Sequence, residues 1–76
     1  HKLPGELLDV VITERSPWVN TQISKLKIPR GAIIATISRN NEIHTATGDF
    51  VILSGDRLVI FAIPQAMSKI QTILSR

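Results

Sequence analysis

Short apolar runs separated by one- to three-residue polar breaks organise this chain. Leu8, Val10 and Ile12 fall at every second position, on one face, so the spacing predicts a strand over residues 7–13. Ser16-Pro17 ends it. Asn20 is placed as a helix N-cap, because its side-chain oxygen can accept an early backbone N–H. A short helix is then predicted over residues 21–27, burying Ile23 and Leu26 and stopped by Pro29 and Gly31. A second strand is predicted over 32–39, with Ile33, Ala35 and Ile37 alternating inward. Asn40-Asn41 reads as a two-residue hairpin, since Asn tolerates the positive φ of such turns. The chain is predicted to return antiparallel over 42–46, bend at Gly48-Asp49 and run extended over 50–53. Ser54-Gly55-Asp56 reads as a further tight turn, with Gly55 at positive φ. The last strand is predicted over 57–63. Pro64 then suits the first turn of a helix carrying Met67, Ile70, Ile73 and Leu74 at helical spacing.

The resulting order is β-α-β-β-β-α: an α+β module with a mostly antiparallel sheet and two helices. Its last strand is apolar on both faces, with Leu58, Ile60 and Ala62 on one and Val59, Phe61 and Ile63 on the other. Such a strand needs cover on both sides. Two arrangements supply it. Either one helix lies on each face, or part of the sheet or first helix buries against a second copy as an isologous dimer. The two-faced strand favours the dimer.

The length of 76 residues bounds the chain to one domain. A domain this small buries only roughly 60–65% of the surface exposed on unfolding, so its core is marginal. It has no cysteine, and hence no disulfide or thiolate metal site to help it. Hydrophobic residues at 43% against 20% charged indicate a globular chain. No apolar run approaches the roughly 20 residues that span a bilayer. Residues 1–6 read as an N-terminal tail and 7–76 as the domain. His1 is no initiator, so the chain is expected to be a piece of a longer protein.

The chemistry-bearing residues point away from catalysis. His44 has no second histidine or carboxylate cluster at ligand spacing and reads as structural. Asp49 and Asp56 sit in turns, where bonds to nearby backbone explain them. None of the serines is in a nucleophile-elbow setting, and the four glycines are singletons rather than a phosphate loop. The chain by itself is not expected to be an enzyme. Lys25, Lys27 and Arg30 cluster where the first helix is predicted to end, and Arg39 flanks the hairpin. Three readings stand open for them: a solvated positive face, a site for an anion or nucleotide phosphate, or a nucleic-acid contact. The formal net charge of +3 and three aromatic residues (Trp18, Phe50 and Phe61) argue against the last. Trp18 reads as a loop side chain packed on the core.

Three segments in this order resemble the TrkA C-terminal domain, also called the RCK C-terminal domain. They are Leu26-Lys27-Ile28-Pro29-Arg30-Gly31, the apolar strand Ile33 to Arg39, and Gly55-Asp56-Arg57-Leu58. The resemblance spans residues 7–74. It implies a cytoplasmic, non-catalytic regulatory domain beneath a membrane-embedded cation transporter, in a potassium-uptake system. The same module attached to a cation/proton antiporter or an anion symporter is the alternative, and a small basic nucleic-acid-binding domain is a rival of another class. The resemblance further implies a homodimer with a cleft between copies for a small anionic or nucleotide ligand. No cofactor is expected in this chain, since NAD or ATP would bind an upstream nucleotide-binding domain absent here. Ile23, Ile33 and Thr47 match cleft-lining positions, and Arg30 is offered as a phosphate contact. Some relatives bind cyclic di-adenosine monophosphate through an Asp, an Arg and an Asn. Lys27, Pro29 and Ala32 stand there in this chain, so that ligand is not expected.

Overall fold

The computed structural model describes residues 4–75. The expected tail therefore falls, for residues 1–3, outside the described residues, whereas Glu6 already opens the first strand. The elements are β1 (Glu6–Val11), β2 (Thr21–Gln22), a 3-10 turn (Ile23–Lys25), β3 (Ala32–Arg39), β4 (Glu42–His44), β5 (Val51–Ile52), β6 (Arg57–Ala62) and α1 (Pro64–Leu74). Among the described residues no helix is long and apolar enough to cross a membrane.

A four-stranded antiparallel sheet runs β1-β6-β3-β4, and β2 pairs with β5 in a separate two-stranded ribbon. The doubly apolar β6 lies between β1 and β3. Leu58, Ile60 and Ala62 on its inner face are fully buried beneath Ala66, Met67 and Ile70 of α1, with Ile12, Trp18 and Ile52 completing the core. The two turns read from sequence form as expected. Asn40 and Asn41 take φ 51° and 66° between the paired residues Arg39 and Glu42, and Gly55 takes φ 92°.

The predicted helix over 21–27 does not form, and α1 is the one α-helix among the described residues. Asn20 is not an N-cap. It adopts φ 61°, and its N–H donates to the Ile52 carbonyl at 2.6 Å. The next donors also leave the segment: Ile23 N–H reaches the Phe50 carbonyl (3.0 Å) and Ser24 N–H the Gly48 carbonyl (2.8 Å). A seven-residue helix has too few internal bonds to offset nucleation. Pairing with residues 48–52 satisfies the same groups and wins, leaving one 3-10 turn closed by Leu26 N–H on the Ile23 carbonyl at 3.0 Å.

The strict inward alternation of Ile33, Ala35 and Ile37 also fails. The β3–β6 register shifts between Ile34 and Thr36, so Ala35 is an extra residue in a bulge. Before it, Ile34 faces inward opposite Ile60. After it, Ile37 faces inward opposite Leu58 and is fully buried. Ile33 therefore points outward and is 62% exposed. It shares an outer row with Phe61 and with Leu7, which is 67% exposed. Among the described residues no second helix lies on the other face of the last strand: α1 covers one face, and on the other Leu7 and Ile33 are exposed while Phe61 is half-buried against Gly5.

Candidate functional site

The loop between the 3-10 turn and β3 builds the site. Pro29 stops the chain from extending the turn, and Ala32 N–H closes back onto the Pro29 carbonyl at 3.2 Å. Gly31 takes φ 95°. A Cβ there would lie 2.7 Å from Ile63 Cδ1 and Cγ1, so glycine alone lets the loop approach the start of α1 this closely. Ile63 N–H donates to the Gly31 carbonyl at 3.0 Å and locks that approach.

The result is a concavity of about 480 Å³ at the Ile33 end of the sheet. Four of the six residues expected at a ligand cleft line it: Ile23, Pro29, Arg30 and Ile33. Ile28, Ala32, Ile34 and Ala46 complete the wall. The other two expected residues stand apart. Lys27 lines a different depression, with Lys25, beside Trp18. Thr47 follows Ala46 in an exposed loop, and its hydroxyl donates to Asp49 Oδ1 at 2.6 Å. The basic cluster is accordingly divided: Lys25 and Lys27 on one side of the loop, Arg30 on the other.

Chemically, the concavity offers an apolar floor and one cation. Ala32 is buried and its side chain has no donor, so polar recognition there rests on Arg30 and the backbone. That combination suits an anionic group carried on an apolar or aromatic body. Among the described residues no three histidine, cysteine or carboxylate side chains come together as a metal site. His44 stands against Phe50, with ring centroids 5.5 Å apart.

At the opposite end of β3 from the concavity lies a feature the residue pattern did not reveal. Arg39, read from sequence as a basic residue flanking the hairpin, forms a bidentate pair with Asp56: Nε to Oδ1 at 2.8 Å and Nη2 to Oδ2 at 2.7 Å. Nη2 also donates to the Val51 carbonyl at 2.9 Å, and the guanidinium sits 4.6 Å above the Phe50 ring centroid. Asp56 is 1% exposed and additionally accepts the Leu53 N–H at 2.8 Å. The turn bond expected of Asp56 is present, but it is one of three. The Arg39 hydrogen bonds hold the Asp56 carboxyl below the usual carboxylate range against burial, with help from the Leu53 N–H. The same bonds raise Arg39. The pair ties the end of β3 to the β5–β6 turn. The strand-ending Arg and the Gly-Asp turn, two parts of the sequence resemblance, are thus one structural unit.

These features define a small α+β module, an antiparallel sheet with helix cover on one face. A solved RCK domain, described with cda, has the same fold: its TM-score is 0.74 at 24% identity, covering 90% of this chain and 96% of that one. The chain belongs to the TrkA-C domain family, whose model matches residues 7–75. It is 35% identical over 88% of its length to Trk system potassium uptake protein TrkA homolog 1 of Methanosarcina mazei. It is 26% identical over 92% of its length to Trk system potassium uptake protein TrkA of Mycobacterium tuberculosis. The chain spans 15% of the first relative and 32% of the second.

Proposed function

We propose that this chain is a non-catalytic regulatory module of a potassium-uptake system, working on the cytoplasmic side of a membrane-embedded cation transporter. It pairs with a second copy and senses a small anionic ligand. Membership of the TrkA-C family and similarity to Trk system proteins support the setting. The observation that carries the mechanism is the adjacency of two features. Ile33 lines the Arg30 concavity and also belongs to the outer row with Leu7 and Phe61, on the face that α1 does not cover.

A second copy set on that row removes apolar surface from water at about 25 cal/mol per Å². It also brings two concavities together across the two-fold. A ligand bridging them favours the paired state, and its differential affinity for paired and unpaired modules is what shifts a transporter between states. Lys27, Pro29 and Ala32 replace the polar residues that relatives use for cyclic di-adenosine monophosphate, so a smaller or differently held anion is expected.

Sedimentation equilibrium and calorimetric titration against a panel of nucleotides and cyclic dinucleotides test this reading. The expected result is a dimer at micromolar concentration, monomerised by Ile33→Glu. One panel member should bind, with affinity falling about tenfold in Arg30→Glu, in keeping with a charged hydrogen bond worth roughly 1.5–3 kcal/mol. A monomer at high micromolar concentration would sink the pairing. No heat with any panel member would sink the sensing.

A further inference from the structure

Charge along the chain is segregated. Residues 15–41 contain Arg15, Lys25, Lys27, Arg30 and Arg39 and no Asp or Glu. Residues 57–76 contain Arg57, Lys69 and Arg76 and again no Asp or Glu. The fold lays parts of these two acid-free segments side by side. α1 forms one wall of a groove and the loop after β2 the other. One depression of about 440 Å³ lies between Pro29 and the Ser68, Lys69, Thr72 and Ile73 side of α1. A second, of about 400 Å³, has Trp18, Leu26, Lys25 and Lys27 among its lining. Ile73 lines both, so they adjoin at that residue.

From this juxtaposition we infer that the groove is a docking site for an acidic amphipathic helix of a partner protein. The floor is apolar, from Pro29, Leu26, Trp18 and Ile73, and three lysines stand on its rim. Among the described residues no carboxylate lines it. A partner helix would seat apolar residues at i, i+3 and i+7 on that floor and present carboxylates to Lys25, Lys27 and Lys69. The length matches. The part of α1 that lines the groove, Ser68 to Ile73, spans about 9 Å at 1.5 Å per residue, enough to lie beside nearly two turns of a partner. A membrane surface fits less well. Insertion into lipid needs protruding apolar side chains. The large exposed ones here (Leu7, Val11, Ile33, Ile43, Val51 and Leu53) all lie outside the groove. This site is separate from the Arg30 concavity, although Pro29 is a wall of both.

Trp18 is the single tryptophan of the chain and lines the groove, so its emission reports occupancy. The probe is a synthetic helical peptide of about 18 residues, with leucine on one face and glutamate on the other. A control peptide replaces every glutamate by lysine. The acidic peptide should shift Trp18 emission with micromolar affinity and weaken at high salt. The triple variant Lys25→Glu, Lys27→Glu, Lys69→Glu should lose at least about tenfold in affinity, or 1.4 kcal/mol, and should bind the basic peptide instead. Arg30→Glu should weaken acidic-peptide binding far less than the triple variant does, which separates this site from the proposed ligand cleft. The three lysines are solvent-facing, and a far-ultraviolet melt confirms that the variant folds. Should the triple variant unfold, Lys69→Glu alone and the salt dependence carry the comparison. Equal binding of both peptides, no acidic-peptide binding up to millimolar concentration, an unaffected triple variant, or binding of phosphatidylglycerol vesicles in place of the acidic peptide would each overturn the inference.

Discussion

Asp56→Ala is expected to lower unfolding free energy by about 3–5 kcal/mol, the usual consequence of removing one partner of a buried ion pair. A domain of this size holds roughly 0.05–0.15 kcal/mol per residue, so that loss takes a large part of its stability. Two separate groups lose their partner together. The Arg39 guanidinium, 28% exposed, is left half-desolvated without its carboxylate. The Leu53 N–H loses its acceptor, while the Asp56 N–H bond to the Leu53 carbonyl still closes the turn. Urea denaturation of parent and variant measures the difference, and a change below about 1 kcal/mol would show that solvent screens the pair as it does a surface bridge. The double variant Arg39→Met, Asp56→Leu is expected to recover part of the loss, because it leaves no uncompensated charge, although the Leu53 N–H and the Val51 carbonyl still lose a partner.

The pair also sets the acid limit of the fold. Its folded-state carboxyl lies below the unfolded value of about 3.9, so the unfolded chain binds the proton first on acidification. The stabilisation is complete above about pH 4–5 and is lost as pH falls through the folded-state value. In Asp56→Asn that acid-side loss should shrink. Equal acid sensitivity in parent and Asp56→Asn would assign it to other carboxylates.

What was legible in the residue pattern was local. Asn40-Asn41 and Gly55 announce positive φ through side-chain chemistry alone. Pro64 and the Met67, Ile70, Ile73 spacing announce α1 in the same way. What was not legible depends on residues distant in sequence. The donors of Ile23 and Ser24 find their acceptors at Phe50 and Gly48, and nothing in a window around residue 21 reports that competition. Arg39 and Asp56 are 17 positions apart, each with a sufficient local explanation as a hairpin flank and a turn carboxylate. The bulge at Ala35 turns Ile33 outward, and an apolar run such as Ala32 to Ile34 carries no mark of where pairing slips. At the site, Ile23, Pro29, Arg30 and Ile33 came together because one loop and its neighbouring strand carry them. Lys27 diverged because the expected helix, which would have placed it beside Arg30, is an extended turn instead.

Ile60→Ala is expected to cost about 3–4 kcal/mol, within the usual range for emptying a buried isoleucine site. Ile60 is fully buried at the centre of the sheet. It sits between Leu8 on β1 and Ile34 on β3, beneath α1. The hole cannot collapse easily, because both flanking strands are held by ladder hydrogen bonds and α1 is pinned through Ile63 to Gly31. For a domain of 60–100 residues such a change lowers Tm by roughly 4–8 °C per kcal/mol, so a fall of about 12 °C or more is expected in a calorimetric scan. Ile33→Ala makes a similar chemical deletion only one residue from Ile34, the cross-strand partner of Ile60, but on the outer row. In the monomer it should cost under about 1 kcal/mol, since its side chain is already largely in water. Comparing both variants across a protein-concentration series tests the proposed pairing and separates the two faces of β6. Ile60→Ala should lose stability equally across the series. Ile33→Ala should lose it only where the parent is paired, because only there does the outer row become interior. Equal, concentration-independent losses from both would mean that the outer row packs within one chain and that a second copy never covers it.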